Sequence, residues 1–252
     1  MSAPVEHHRD HRWHRFSCRS DFERSAHDFI LDAAMRSIND TGRFRLVLSG
    51  GRTPRRIYQS LRLAQTDWSA WVLYFSDERC LPENDPNRNS RMAAEAWLDH
   101  VPIPAGQIHV IPAELGPERG ADRYSRELAG VGAFDLVLLG LGEDGHTASL
   151  FPGGDWESAA SWPDAIPVQD APKPPPERVS LSPARLSRTR QCLFLIAGSD
   201  KREAVDGWQA GARSPASRIL ANAGVDVFLD LEEDSAKSCR RFPGNTIPGT
   251  GF

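Results

Sequence analysis

Residues 134–153 read FDLVLLGLGEDGHTASLFPG, an apolar run followed by a glycine-rich loop. The run at 134–139 is broken only by Asp135 and has the length and side-chain branching of a buried β-strand. The loop after it presents Glu143, Asp144 and His146 between glycines. Enzymes with an α/β fold place their chemistry in loops that follow strands, so this stretch predicts a catalytic site.

Length and composition favour one domain with a sizeable core. The chain has 252 residues, of which 40% are hydrophobic and 25% charged, proportions typical of a globular protein. We expect a flexible arm at residues 1–11, a single α/β domain at 12–239 and a flexible tail at 240–252. The first residues lack the apolar core of a secretory signal, and no apolar run reaches the ~18 residues of a membrane helix. The sequence therefore predicts a cytoplasmic protein with no membrane partner.

Cysteine and charge content limit the ligands. The four cysteines are far apart and form no CxxC pair, which argues for reduced thiols rather than a zinc knuckle or a disulfide framework. A net charge of −4 leaves no basic footprint for nucleic acid, so an anionic ligand needs a local cluster of positive groups. Only Lys173, Lys201 and Lys237 are lysines among the 30 basic residues. A lysine in a loop of this chain is therefore a candidate for a specific role of its amine.

Histidines crowd the N-terminus at His7, His8, His11 and His14. Such a cluster can bind a metal, but a solvated polar terminus is the simpler interpretation. We therefore predict no metal site there.

Strand and helix patterns alternate along the chain. Apolar runs and alternation predict strands at residues 13–18, 44–48, 71–75, 108–111, 134–139, 178–182, 191–197 and 225–229. Helical periodicity and capping signals predict helices at residues 20–39 with Ser20 as N-cap, 54–63, 90–98, 117–128, 202–208 and from Ser214. This order predicts an α/β fold with a mainly parallel, Rossmann-like sheet, helices on both faces and room for a small subsidiary lobe. Its active site should lie at the carboxyl ends of the strands, where the loops at 49–53, 76–79 and 140–146 emerge.

The first of these loops, SGGRTP at residues 49–54, joins a strand to a helix. Its glycines let backbone amides approach a ligand, and Pro54 in the first helical turn leaves the helix N-terminus facing the same space. This geometry suits a phosphate group. A tight turn with no ligand explains the same residues equally well.

The loop after residue 139 also matches a dinucleotide-binding pattern, because Gly140, Gly142 and Gly145 fit G-x-G-x-x-G. Glu143 and Asp144, however, would place two negative charges against a pyrophosphate. The acid expected about 20 residues further on, at the end of a second strand, is missing. A dinucleotide-dependent dehydrogenase is therefore disfavoured.

Several motifs together resemble the 6-phosphogluconolactonases of the pentose phosphate pathway. They follow one another over nearly the whole chain and are LSGGRTP, YFSDERCLPENDPNRNSRM, IHVIP, FDLVLLGLGEDGHTASLFPG, RVSLS and AGSDKREAV. The resemblance implies hydrolysis of 6-phospho-D-glucono-1,5-lactone to 6-phosphogluconate, without a metal or organic cofactor. The related glucosamine-6-phosphate deaminases share the fold but carry a GHIAFNEP-like loop where this chain has GHTASLFP. A deaminase-like sugar-phosphate isomerase and a non-catalytic sugar-phosphate-binding protein remain the alternatives.

Two positions depart from the pattern of that family. Arg52 stands where a serine is usual in the glycine loop, and Arg88 precedes Asn89 where a serine is usual. We expect both arginines to alter the phosphate contacts without changing the chemistry.

Lactone hydrolysis needs a base for water, a group that stabilises the oxyanion at C1 and an acid for the ring oxygen. His146 is the predicted base and later the acid, since a histidine with an ordinary pKa near ~6.5 serves both roles at neutral pH. Asp144 is expected to position the loop or to favour the protonated histidine. Asp77 and Arg79 are expected to orient sugar hydroxyls or to polarise the carbonyl. The alternative for His146 is a cap on a helix that follows through Thr147.

Phosphate recognition is assigned to the glycine turn, a lysine and helper side chains. The residues concerned are Gly50, Gly51, Arg52, Thr53, Asn89, Lys201, Arg178 and Arg218. Lys201 would supply a point charge, and a solvated surface role suits Arg178 and Arg218 as well as a helper role does. The predicted partner is thus a small phosphosugar lactone, and the protein is expected to be a monomer or a weak homodimer.

Overall fold

Strands and helices alternate in the computed structural model, which describes residues 11–154 and 162–232. The strands are β1 (His11–Arg15), β2 (Phe44–Leu48), β3 (Trp71–Phe75), β4 (Asp77–Arg79), β5 (Phe134–Leu139), β6 (Ala165–Val168), β7 (Arg178–Leu181), β8 (Thr189–Ala197) and β9 (Val225–Asp230). The helices are α1 (Arg19–Thr41), α2 (Arg52–Leu61), α3 (Asn89–Ala96), α4 (Pro117–Glu127), α5 (Pro183–Ser187), α6 (Arg202–Gln209) and α7 (Pro215–Arg218). The predicted tail at 240–252, residues 1–10 of the predicted arm, and with them His7 and His8, lie outside the described residues.

Six strands form one parallel sheet in the order β1-β9-β8-β5-β2-β3. Strand β5 lies inside this sheet, hydrogen-bonded to β2 on one side and to β8 on the other. Every residue of β5 except Asp135 is buried, as a parallel strand covered on both faces requires. Helix α1 packs on β2, β5 and β9. The predicted α/β class, with a parallel sheet flanked by helices, is confirmed.

A second, three-stranded sheet is antiparallel and has the order β4-β7-β6. Only Ser76 separates β3 of the large sheet from β4 of the small one. The backbone of Ser76 joins the two sheets, because its N–H donates to Leu48 and its carbonyl accepts from Leu181. Helix α4 packs on β6 and β7. This small sheet is the subsidiary lobe for which the sequence left room.

Several local predictions differ from the structure. Strand β1 covers His11–Arg15 rather than residues 13–18. Helix α1 starts at Arg19, one residue before Ser20, so Ser20 is inside the helix and its predicted capping role is wrong. Helix α2 starts at Arg52 rather than at Pro54, because Gly51, with φ 110°, already turns the chain into the helix. Residues 108–111 form no strand; Ile108 makes only an isolated parallel bridge to β3.

Two further features of the structure concern the state of the cysteines and the search for membrane-spanning helices. Cys18 is disulfide-bonded, so the expectation of a reduced thiol is wrong at this residue, whereas Cys80 and Cys192 are free. No helix within residues 11–154 and 162–232 combines the length and apolarity needed to cross a bilayer.

Candidate active site

A cavity of about 210 Å³ opens at the carboxyl edge of the parallel sheet. Its lining includes residues of all three loops that the sequence singled out, of the small sheet, and of the segments at the start of α3, before β7 and before α6. These residues are Ser49, Gly50, Gly51, Ser76, Asp77, Arg79, Asn89, Gly140, Leu141, Gly142, His146, Thr147, Ala148, Lys173, Arg178 and Lys201. The three loops therefore meet in one place, as the rule for parallel sheets predicts.

His146 lies on one wall of this cavity with a carboxylate behind its ring. The Nδ1 atom is 2.5 Å from Oδ1 of Asp144, and the side chain of His146 is 19% exposed. Burial by itself would raise the pKa of Asp144, but the hydrogen bond and charge of His146 outweigh it and the pKa is lowered. An ionised carboxylate accepts only, so the neutral imidazole carries its proton on Nδ1 and a lone pair on Nε2.

The position of this ring depends on Gly142. A Cβ atom on Gly142 would lie 2.0 Å from Nδ1 of His146 and 2.6 Å from Oδ1 of Asp144. The amide of Gly142 donates to the carbonyl of His146 at 2.8 Å, which closes the loop around the pair. The ring of Phe151 packs against the imidazole at 4.7 Å between centroids. This glycine therefore makes room for a His–Asp pair rather than for a pyrophosphate.

The chain after His146 forms a tight turn, not a helix. Thr147 bridges to Leu150, and the Thr147 hydroxyl donates to the carbonyl of Gly140 at 2.9 Å. Ala148 has φ 48°, a left-handed conformation that costs a non-glycine residue roughly 1–2 kcal/mol. Without a helix to cap, the structural alternative for His146 is wrong. The dinucleotide pattern fails for the same reason, since its helix is absent from residues 140–154.

Asp77 is buried, and its carboxylate accepts hydrogen bonds from side chains of two other segments. Its Oδ2 accepts from the hydroxyl of Ser149 at 2.7 Å, and its Oδ1 accepts from Nδ2 of Asn89 at 3.1 Å. The side chain of Asn89 in turn fills the space above Gly50, where a Cβ atom would lie 1.9 Å from Oδ1 of Asn89. Asp77 thus connects the loop that carries His146 and Ser149 with the segment that carries Asn89. Through Asn89 it also supports the glycine turn at Gly50.

Glu78 points to the opposite side of β4 from Asp77 and has a structural role that the sequence did not reveal. Its carboxylate accepts from the backbone amides of Asn89 and Ser90 at 2.7 and 2.8 Å, which caps the N-terminus of α3. Arg88 is also buried, with Nε 3.4 Å from Glu78 and an N–H donated to Glu114 at 3.0 Å. The expectation that Arg88 alters phosphate contacts is therefore wrong, because its guanidinium is held by these two carboxylates.

Arg79 and Arg178 form a cationic wall of the cavity. Arg79 donates to the carbonyl of Asn87 at 2.5 Å, and its Nε–H has no acceptor among the described residues. Arg178 donates to the carbonyls of Pro175 and Lys173 at 3.0 and 2.7 Å. Burial lowers the pKa of Arg178, an effect that Asp77 opposes. A solvated surface role for Arg178 is excluded, since it is only 5% exposed.

Two lysines, Lys201 and Lys173, complete the lining. Lys201 lies just before α6, with Nζ 3.1 Å from Asp200 and 3.5 Å from Glu143. Lys173 lies in the proline-rich segment 171–176, APKPPP, whose composition predicts a stiff connector in a surface loop. Its Nζ is 3.7 Å from Glu143. Its unusual residue type was the available signal, but the sequence indicated only a surface loop there. Lys237 lies outside the described residues.

The structure brings most of the predicted site residues to the cavity but not all of them. Those on its lining are His146, Asp77, Arg79, Gly50, Gly51, Asn89, Lys201 and Arg178, with Asp144 directly behind His146. Arg52, Thr53 and Arg218 are not on the lining. Within residues 11–154 and 162–232, no group of three or more His, Cys, Asp or Glu side chains is placed to hold a metal ion.

Comparison with known proteins adds sequence and structural relatives. The chain is 37% identical over 217 residues to the 6-phosphogluconolactonase of Synechocystis, spanning 81% of this chain and 88% of that one. It is 39% identical over 212 residues to that of Streptomyces coelicolor, spanning 75% and 80%. Two solved structures, both 26% identical, superpose well. The 6-phosphogluconolactonase of Thermotoga maritima has a TM-score of 0.79 over 86% of this chain and 99% of that one, and that of Trypanosoma brucei has 0.76 over 88% and 96%.

A family model covers the same region of the chain. The model described as glucosamine-6-phosphate isomerases/6-phosphogluconolactonase matches residues 18–228, which include every residue on the cavity lining. The match therefore covers the small sheet and the large sheet apart from β1 and the last residues of β9. The chain belongs to the glucosamine-6-phosphate isomerase/6-phosphogluconolactonase family.

Proposed function

We propose that this protein hydrolyses 6-phospho-D-glucono-1,5-lactone to 6-phospho-D-gluconate. The observation that carries the proposal is the His146–Asp144 pair on the wall of a cavity that also holds two arginines and two lysines. A base and a cluster of cations are what a phosphorylated lactone requires. Relatives that bear the name 6-phosphogluconolactonase, and the GHTASLFP loop in place of the deaminase ending, support the lactonase over the isomerase.

In the proposed mechanism, Nε2 of His146 accepts a proton from water while the water oxygen bonds to C1 of the lactone. The C1 carbonyl becomes an oxyanion, which the guanidinium of Arg79 on the cavity lining is proposed to stabilise. The oxyanion then collapses, the bond between C1 and the ring oxygen breaks, and His146 returns its proton to that oxygen. Asp77 acts as a positioning residue, because its carboxylate is occupied by Ser149 and Asn89.

The phosphate is proposed to bind on Lys173 and Lys201 together with the amides of Gly50 and Gly51, all of which line the cavity. Gly51 is the N-cap of α2, so the positive end of that helix adds to the lysine charge. Each charge-assisted contact is worth about 1.5–3 kcal/mol, so two or three contacts suffice for micromolar recognition. A cytoplasmic location and a monomeric or weakly dimeric state are part of the same proposal and are tested by fractionation and light scattering.

The test is lactone hydrolysis by the purified protein, followed as acid release above the spontaneous rate. We expect turnover, and a loss of about 10²–10⁴ in kcat for His146→Ala. A wild-type protein without turnover overturns the proposal, and a His146→Ala variant with wild-type kcat overturns the base assignment. Ammonia release from glucosamine 6-phosphate, which we expect to be absent, would identify the isomerase instead.

A Lys201→Ala variant tests the phosphate end of the cavity. We expect KM for the phosphorylated lactone to rise about tenfold or more, with little effect on plain gluconolactone. If both substrates lose equally, Lys201 does not bind the phosphate. A Lys173→Ala variant is a second test and should show the same selectivity for the phosphorylated substrate, because the phosphate is proposed to contact both lysines.

A further inference from the structure

Glu143 belongs to the catalytic loop but contributes to neither the base nor the cavity lining. Its two carboxylate oxygens face different lysines: Oε1 is 3.5 Å from Nζ of Lys201 and Oε2 is 3.7 Å from Nζ of Lys173. The two lysines come from separate segments, before α6 and in the proline-rich loop. One carboxylate therefore bridges both cations that face the cavity from this side.

We propose that Glu143 stands in for the substrate phosphate in the ligand-free protein and is displaced when the phosphate binds. A carboxylate and a phosphate both place negatively charged oxygens against ammonium groups. Because Lys201 and Lys173 contact Glu143 in the free state, an incoming phosphate has to compete with it. The inference rests on the proposed phosphate site and adds a competitor to it.

The exposure of the three side chains fits a displaceable contact. Glu143 is 55% exposed and Lys173 46% exposed, whereas Lys201 is only 19% exposed. The carboxylate can therefore leave into solvent while Lys201 stays in place. An exposed ion pair is weak, so a dianionic phosphate on the same lysines is the stronger partner.

The position of Glu143 gives its displacement a consequence for the catalytic loop. It lies three residues before His146 and next to Asp144, the partner of the imidazole. In the free protein Glu143 ties this loop to Lys173 and Lys201. Phosphate binding would exchange that tie for contacts with the substrate itself, so phosphate binding and the loop that carries His146 are coupled through one residue.

The test is calorimetric binding of 6-phosphogluconate and of inorganic phosphate to the full chain at low ionic strength. Removing the competitor in Glu143→Gln should tighten both ligands by about three- to fivefold. A merely structural role, or a direct contact with substrate, would instead leave affinity unchanged or weaken it, and either result overturns the proposal. Glu143→Ala should behave like Glu143→Gln, and equal melting temperatures would exclude misfolding of either variant.

Two controls separate displacement from a general charge effect. Asp40→Asn removes an equally exposed carboxylate that pairs with Arg190, so phosphate affinity should not change. In a Lys201→Ala background, Glu143→Gln should give a clearly smaller gain, because one of its two partners is gone. A full gain in that background, or the same gain from Asp40→Asn, overturns the proposal. These binding measurements do not depend on turnover, so failure of the proposed hydrolysis would be seen separately in the lactone assay.

Discussion

At the scale of single residues, one missing side chain fixes the catalytic geometry. Gly142 leaves space that the imidazole of His146 and the carboxylate of Asp144 occupy together. The sequence pattern G-x-G drew attention to the right glycine but for a different ligand. A glycine can let the backbone approach a phosphate, or it can leave space for a neighbouring side chain. The two uses look alike in sequence, since both depend only on the missing Cβ atom.

Gly142→Ala tests this packing directly. Its Cβ would overlap His146 and displace the ring by about 1 Å or more, so kcat should fall about a hundredfold while KM changes little. Steady-state kinetics on the phosphorylated lactone measure both constants. The matched control is Gly132→Ala, where a Cβ would meet no atom within 4 Å and kcat should be retained. A Gly142→Ala variant with wild-type kcat would show that the His146–Asp144 geometry is not required.

At the scale of elements, the three residues of β4 divide their work by strand alternation. Asp77 and Arg79 face the cavity, and Glu78 faces the start of α3. The sequence predicted residues 76–79 as a loop that follows β3 at the carboxyl edge of the sheet, and not as a strand of their own. Its pairing partner β7 starts about a hundred residues later in the chain, and such a long-range contact leaves no local signal. The strands β2, β5 and β8 were predictable because each is a mostly apolar run, and such a run by itself indicates a buried strand.

Glu78→Gln tests the capping role of this carboxylate. The amide replaces two acceptor oxygens with one and weakens the bonds to Asn89, Ser90 and Arg88, so the free energy of unfolding should fall by about 2–4 kcal/mol. Urea denaturation gives the value. The control on the same helix is Glu95→Gln, whose exposed ion pair with Arg91 should be worth under about 0.5 kcal/mol. Equal effects of the two changes would contradict the buried cap.

The proline-rich segment before β7 is the second element that the sequence did not place. It was predicted as a surface loop, yet it brings Lys173 to the cavity because Arg178 binds the carbonyls of Lys173 and Pro175. The alternation RVSLS predicted β7 itself, but side-chain to backbone bonds of this kind cannot be read from composition. The position of this loop relative to the cavity was therefore the main feature of the site that the sequence did not predict.

Arg178→Lys separates holding the segment from supplying charge. A lysine keeps the charge but cannot make both directed bonds, so KM for the phosphorylated lactone should rise about fivefold to tenfold. Comparison of KM for the phosphorylated and plain lactones gives the result, and Arg188→Lys at an exposed position is the control with unchanged KM. A wild-type KM in Arg178→Lys would mean that only the charge of Arg178 matters.

At the scale of the whole molecule, the cavity joins the two sheets. The parallel sheet supplies the loops after β2, β5 and β8, and the small sheet supplies β4 and the start of β7. The backbone of Ser76 already connects the two sheets through its hydrogen bonds with Leu48 and Leu181. A ligand that touches both walls should therefore stabilise the two sheets as one unit rather than either alone.

Binding of 6-phosphogluconate should accordingly raise the midpoint temperature of a single unfolding transition. At a ligand concentration of 100 times Kd, linkage predicts about 2.7 kcal/mol of stabilisation, or a rise in Tm of roughly 5–10 °C for a chain of this size. Calorimetry measures the transition, and hydrogen exchange should show added protection in β4 and β7 as well as at the carboxyl ends of β2 and β5. Gluconate lacks the phosphate and should give a much smaller shift at the same concentration. Two separate transitions, only one of which moves with ligand, would show that the sheets unfold independently and that the ligand rests on one wall of the cavity.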